Sequence, residues 1–285
     1  MSFDSRTGRL FVAALGNNTV EVVDINQRKR TSTIPGLHEP QGVLYLPDVN
    51  RLYVANGDTG SVELFDGTSF RLLSTVNLGS DADNVRFDPV RKEVYVGYGR
   101  GALAILGEDG SHIADVKLDA HPESFQLEQK GSRIFINLPD SKKVAVVDRN
   151  TRTVIANWST QGALANFPMA LDEQNHRLFV VCRRPAEMLV LDTASGAIVA
   201  RLPAVGDCDD VFYEADAKRL YASGGEGGVT IVQQDSPDKY KDMGEVHTRK
   251  GARTSFFARA HHSLYIAARQ EDAQPAAIYV YAVQH

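Results

Sequence analysis

One five-residue phrase recurs seven times along the chain. It reads Arg9-Leu-Phe-Val-Ala, Arg51-Leu-Tyr-Val-Ala, Glu93-Val-Tyr-Val-Gly, Arg133-Ile-Phe-Ile-Asn, Arg177-Leu-Phe-Val-Val, Arg219-Leu-Tyr-Ala-Ser and Ser263-Leu-Tyr-Ile-Ala. Successive copies lie 42, 42, 40, 44, 42 and 44 residues apart. A fixed period of this size marks a repeat architecture, in which one supersecondary unit is copied along the chain. Each copy is a short apolar run with an aromatic third residue, bounded by turn residues, and so reads as a buried strand.

The flanks repeat as well. A leading strand is expected before the phrase at 42–46, 84–88, 124–128, 169–173, 210–214 and 255–259. A third strand is expected after it at 20–24, 62–66, 103–106, 144–148, 189–192, 229–232 and 278–281. Four of these end in Asp24, Asp66, Asp148 and Asp192, where a carboxylate can bond the backbone two residues on and start a turn. A more polar fourth strand, such as 72–78 or 198–202, suits an outer edge facing water. Four short strands per unit, seven times over, predict an all-β fold: a seven-bladed β-propeller of four antiparallel strands per blade. The blades fall near 1–39, 40–81, 82–121, 122–165, 166–207, 208–252 and 253–285, in one domain. No unit holds a helical hydrophobic pattern, which excludes a helix-pair solenoid. The last blade is expected to lack its outer strand, since only Val283-Gln284-His285 follows its third. The resulting edge invites self-association.

Composition narrows the partners. The net charge of −5, from 31 basic and 36 acidic residues, gives no global field for nucleic acid. No apolar run is long enough for a membrane helix, so no membrane insertion is expected. Two cysteines exclude a disulfide scaffold and a four-cysteine zinc site. Cys182 and Cys208 fall in neighbouring blades, where a disulfide, two free thiols or soft metal ligands all fit the sequence. Trp158, on an outer strand, reads as a packing residue.

The phrase from Arg51 to Asn56, with its echoes, resembles the YVTN-type repeat of bacterial and archaeal propellers, a family of surface-layer and periplasmic proteins. The resemblance spans essentially the whole chain. It implies the propeller fold and a periplasmic or secreted location, and it is silent on activity. Relatives of this kind carry an upstream segment, behind a signal peptide, that supplies the last outer strand. Met1–Arg6 has no hydrophobic signal core, so a genuine start at Met1 predicts a cytoplasmic protein.

Propeller ligands bind where loops converge on the channel mouth. The loops leading into the innermost strands read His38-Glu39-Pro40-Gln41, Asp81-Ala82-Asp83-Asn84, His121-Pro122-Glu123, Asn166-Phe167-Pro168, Asp207-Cys208-Asp209-Asp210 and Arg253-Thr254. Carboxylates with imidazoles suit a divalent cation: calcium for oxygen ligands alone, zinc or manganese where His joins them. The candidate metal ligands are His38, Glu39, Asp83, His121, Glu123 and Asp209; His38, Glu39, His121 and Glu123 are also the candidate catalytic bases. The competing reading is that Asp and Asn merely start turns around a water-filled channel.

The second loop set adds Tyr98, Arg100, Arg183, Arg184 and Arg269, beside Arg253, Asn166 and Phe167, as candidate substrate-binding residues. Arg forks hold carboxylate or phosphoryl oxygens, or else neutralise the acidic loops. Three functions remain open. One is a ligand- or protein-binding propeller. Another is a metal-dependent hydrolase of lactones, esters or phosphotriesters, by fold-level analogy with gluconolactonase- and paraoxonase-like propellers, whose motifs do not align here. The third is a scaffold with no small-molecule site.

Overall fold

The computed structural model describes residues 1–283, so Gln284 and His285 of the expected tail lie outside the described residues. The chain is all-β. Six four-stranded antiparallel sheets and one three-stranded sheet are each built from consecutive strands, the blades of a seven-bladed β-propeller. Among the described residues the only helical segments are single 3-10 turns at Leu15–Asn17 and Arg259–His261, and no helix is long and apolar enough to cross a membrane. Two compact units result: Met1–Glu123 with Asp148–Val154, and Ser124–Val147 with Ile155–His285.

The first unit holds three blades. These are β1 (Ser2–Asp4), β2 (Arg9–Ala14), β3 (Thr19–Asp24) and β4 (Lys29–Ile34); β5 (Pro40–Leu46), β6 (Arg51–Asn56), β7 (Ser61–Asp66) and β8 (Leu72–Asn77); and β9 (Ala82–Asp88), β10 (Glu93–Tyr98), β11 (Ala102–Gly107) and β12 (His112–Lys117). The second unit carries β13 (Phe125–Leu127), β14 (Arg133–Leu138), β15 (Lys143–Asp148) and β16 (Thr153–Ser159), apart from the turn counted with the first unit. It continues with β17 (Leu164–Asp172), β18 (Arg177–Arg184), β19 (Ala186–Asp192) and β20 (Ile198–Pro203); β21 (Cys208–Glu214), β22 (Arg219–Gly224), β23 (Gly228–Ser236) and β24 (Lys239–His247); and finally β25 (Ser255–Ala258), β26 (Ser263–Ala268) and β27 (Ala277–Ala282). Among the described residues the seventh blade has three strands, as expected.

The repeat phrase forms the second strand of every blade. Its aromatic third residue, from Phe11 to Tyr265, is at most 4% exposed in all seven copies. Each such ring contributes about 1.5–3 kcal/mol by leaving water. Phenol oxygens inside the core find partners, as buried hydroxyls must: Tyr53 donates to Gly107 O at 2.9 Å and Tyr95 to Glu93 at 2.6 Å. Trp158 packs on Phe135, with centroids 5.5 Å apart.

The leading Arg of the phrase has its own task. Arg9 donates to Gly67 O at 2.7 Å, Arg133 donates to Thr193 O, and Arg177 donates to Pro237 O at 3.1 Å. Each reaches a turn after the third strand of the next blade and fastens neighbours together. The strand-ending aspartates start turns: Asp24 accepts from Gln27 N–H, Asp66 from Thr68 and Ser69 N–H, Asp148 from Asn150 and Thr151 N–H, and Asp192 from Ala194 and Ser195 N–H. In the first unit Arg149, on one such turn, pairs with buried Asp88.

The leading strands correct the expected boundaries. In blades two, three, five and six they begin at Pro40, Ala82, Leu164 and Cys208, earlier than expected, because the segments read as loops stay in the ladder through a bulge. Register slips at Pro40/Gly42, at Val96/Tyr98, at Asn166/Met169 and at Cys208/Asp210. A bulge re-aims side chains at the end of a sheet. β13 and β25 are shorter than expected, and Arg259 begins a 3-10 turn rather than ending a strand.

Candidate functional site

In the first unit, the β9 bulge sets Asp83 and Asn84 opposite Gly97 of β10. Two neighbours approach this point because they meet glycine. A Cβ on Gly42 would lie 2.1 Å from Asp83 O, and one on Gly97 would lie 3.0 Å from the Pro122 ring. Pro122 lies between His121 and Glu123 in the chain. One donor atom each from Asp83, His121 and Glu123 then fall within 4.8 Å of one another, the only such set of three among the described residues.

His121 is oriented from outside this set. Its Nδ1 lies 2.6 Å from Gly99 O and 3.4 Å from Asp81 Oδ2. A carbonyl only accepts, so Nδ1 is the donor of this bond. Asp83 is 9% exposed. Burial pushes its carboxyl up to about 6, assisted by the Asp81 charge and opposed by His121 and by hydrogen bonds with Asn84 and Glu123. Two carboxyl groups in contact share a proton more readily than they both ionise.

The second unit carries a different arrangement. Arg183, near the end of β18, lies with its guanidinium 4.0 Å from the Phe167 ring centroid. Its Nε donates to Cys208 O at 3.1 Å, and it pairs with Asp209 and, at 3.2 Å, with Asp207. Arg253 pairs with the same two carboxylates, at 2.9 Å to Asp207 and 2.7 Å to Asp209. The result is a square of alternating charge. Burial keeps the Asp209 carboxyl above its ordinary range even beside Arg253 and Arg183. Against this square opens a cleft of about 640 Å³, lined by Pro139, Asp140 and Lys142, by Leu164, Ala165 and Phe167, and by Arg183, Arg184 and Asp207.

The six expected metal ligands meet different surroundings. Asp83, His121 and Glu123 meet, whereas Asp209 is engaged by two arginines. His38 and Glu39 are exposed, and their N–H groups donate to Asn56 and Asn18, each at 2.9 Å. Of the expected substrate-binding residues, Phe167, Arg183 and Arg184 line the cleft, and Arg253 stands behind it in the square. Asn166 is wholly buried: its Nδ2 donates to Asn137 Oδ1 and Lys143 O at 3.0 Å, fastening β17 instead of facing a ligand. The Tyr98 hydroxyl donates to Asp115 on the outer strand β12 at 3.0 Å. Arg100 and Arg269 are exposed.

Cys182 and Cys208 are free, buried thiols. Burial pushes the Cys182 thiol up to about 12 and the Cys208 thiol well above its ordinary value, which makes both poor nucleophiles and poor metal ligands. Asp207, Lys142 and Asp81 carry no mark of their own in the sequence. The first and last stood in loops already aligned, but their partners come from other blades.

No protein-family model matches the chain. It is 22% identical over 222 residues to the uncharacterized protein YncE of Salmonella typhimurium, and equally to that of Salmonella typhi. The match covers 75% of this chain and 62% of those relatives, so the chain spans less than two thirds of their length. Among solved structures, a chain of Kuenenia stuttgartiensis hydrazine synthase superposes with a TM-score of 0.83 at 17% identity, over 99% of this chain and 95% of that one. A chain of a mitotic checkpoint complex superposes at 0.81 and 15% identity, over 94% and 82%. Likeness at these identities shows a shared propeller fold. It transfers no activity.

Proposed function

We propose that this chain is a binding propeller whose second unit takes a small organic anion in the cleft beside Phe167. One observation carries the reading. Arg184 and Lys142 are exposed on the cleft wall, and among the described residues neither has a carboxylate within ion-pair distance, while Arg183 is already held by Asp207 and Asp209. Two unneutralised cations beside an apolar strip of Leu164, Ala165 and Phe167 suit a carboxylate or phosphoryl group on an apolar body. Calorimetry with a panel of aryl and alkyl carboxylates and phosphates, each against its neutral amide or alcohol, tests this. The charged members bind, and Arg184→Ala and Phe167→Ala each weaken them about tenfold, the size of a lost charged or aromatic contact. Equal binding of the neutral members, or unchanged affinity in both variants, overturns it.

A second reading is supported by the three donors of the first unit. Asp83, His121 and Glu123 would hold a divalent cation, zinc or manganese before calcium because one ligand is an imidazole. The Gly99 carbonyl that orients His121 is the kind of outer contact metal-binding histidines use. Such an ion would supply Lewis-acid chemistry for ester, lactone or phosphotriester hydrolysis. Elemental analysis of unchelated protein tests this. About one equivalent of metal, lost in His121→Ala and Glu123→Ala, supports it. Less than about a tenth of an equivalent, with no thermal shift on adding zinc, manganese or calcium, overturns it.

A further inference from the structure

The cleft beside Phe167 carries charge of both signs, and only part of it is neutralised within the protein. Asp207 is held by Arg183 and Arg253, and each of those arginines also pairs with Asp209. Asp140 stands differently. It is exposed on the cleft wall, and among the described residues no Lys, Arg or His lies within ion-pair distance of it. Lys142 is only two residues on, yet the two do not pair. Both sit on the connection between β14 and β15. There Ser141 N–H donates to Leu138 O at 3.2 Å, Lys142 N–H to Pro139 O at 3.0 Å and Thr160 N–H to Lys142 O at 3.1 Å. This turn is built before any ligand arrives, which lowers the ordering cost of binding.

A simple anion fits such a wall incompletely. It meets the cations Lys142 and Arg184, but also the unneutralised charge of Asp140, which repels it. A ligand that carries an ammonium beside its carboxylate turns that repulsion into attraction. We infer that the ligand of this cleft is a zwitterion on an apolar body, either a free α-amino acid with an apolar or aromatic side chain or a short peptide of such residues. The inference rests on the anion reading above and adds a second charge to it. The carboxylate goes to Arg184 and Lys142, the ammonium to Asp140, and the side chain to the strip that includes Phe167. The Arg183 guanidinium covers one face of the Phe167 ring at 4.0 Å, so an aromatic ligand meets the ring at its edge or its other face. A cleft of about 640 Å³ has room for either source of the zwitterion.

Calorimetry near neutral pH with four matched probes tests this on the full chain. Phenylalanine carries both charges, phenylpropionate only the anion and phenylalaninamide only the cation. The dipeptide phenylalanylphenylalanine carries both charges further apart. The better zwitterion binds about tenfold tighter than phenylpropionate, the size of one charged hydrogen bond, and its identity names the source. Phenylalaninamide binds more weakly than phenylalanine. Asp140→Asn, on an exposed turn, acts with opposite signs: it weakens the zwitterion about tenfold and tightens phenylpropionate by roughly two- to threefold, which the loss of a merely structural residue does not do. Phenylpropionate that binds as tightly as both zwitterions overturns the inference and leaves the anion reading standing. So does an Asp140→Asn variant that leaves both ligands unchanged or shifts them in the same direction. Phenylalaninamide that binds as tightly as phenylalanine, or a panel in which nothing binds, overturns the anion reading and the inference with it.

Discussion

Arg149 and Asp88 form an ion pair in which only 3% and 2% of the two side chains are exposed. Asp88 also accepts hydrogen bonds from the N–H groups of Val90 and Arg91 and from the Arg91 side chain. Burial alone would raise its carboxyl; those bonds and the Arg149 charge more than reverse it and hold it below the ordinary range. Arg149→Ala leaves a buried carboxylate short of its partner, and such truncations cost on the order of 3–5 kcal/mol. The expected outcome is a lower urea midpoint with unchanged slope. Asp88's contribution is fully present above the unfolded carboxylate pKa and is lost as pH falls through its folded value. The gap between parent and variant therefore narrows in acid.

Asp83 has the opposite sign. Its folded carboxyl titrates near 6, above the unfolded value, chiefly because it is buried. Between the two values the folded chain binds more protons than the unfolded one, so this group makes stability fall as pH rises from about 4 to about 6, with the full penalty present above that. Asp83→Asn removes the penalty. The variant should be more stable than the parent at pH 7.5, by on the order of 1–3 kcal/mol, and no different at pH 4. Melting temperatures at the two pH values check this, and a parent that gains stability from pH 4 to 6 relative to the variant reverses the assignment.

Gly42 controls how closely β5 lies to Asp83. Its φ is ordinary, so a side chain there meets a packing problem and no backbone strain: the new Cβ would sit 2.1 Å from Asp83 O and 2.8 Å from a Val85 methyl. Gly42→Ala must shift backbone, at a cost of about 1–3 kcal/mol for overpacking. It should also pull Asp83 away from Glu123 and bring its titration nearer to ordinary. Gly36→Ala is not a neutral control, because its φ is +79°; Gly16→Ala is, with open space around it.

Much of this architecture is legible in one sequence because a propeller says the same thing seven times. The aromatic of Arg51-Leu-Tyr-Val-Ala is buried in every copy because the second strand is flanked on both sides in every blade. The turn role of Asp66 follows from local chemistry, since its partners are two and three residues away. The site is less legible for the converse reason. Asp209 reads as a metal ligand until Arg183 and Arg253, 26 and 44 residues away, close on it. Asn166 reads as a loop residue until the bulge keeps it in the ladder and Asn137 takes its amide. Repeat register says which residues share an end of the blades, but not which charges cancel there.

The charge square makes the last prediction. Asp207 is 37% exposed and lines the cleft, while Asp209 lies deeper. Asp207→Asn removes one of two carboxylates from both Arg183 and Arg253, yet Asp209 still holds each guanidinium in place. The stability cost should be small, below about 1 kcal/mol, as for other partly exposed pairs. The freed positive charge faces the cleft beside Arg184 and Lys142. Affinity for the organic anion should therefore rise roughly three- to tenfold at low salt, and the gain should shrink at high ionic strength, where exposed charges are screened. Asp209→Asn should behave differently. It loosens Arg183 from its place over Phe167, so it should lower the melting temperature and weaken the anion rather than tighten it. Calorimetry of the two variants at about 20 mM and 300 mM salt separates these cases. Identical affinities for parent and Asp207→Asn at low salt would show that the square takes no part in holding the anion.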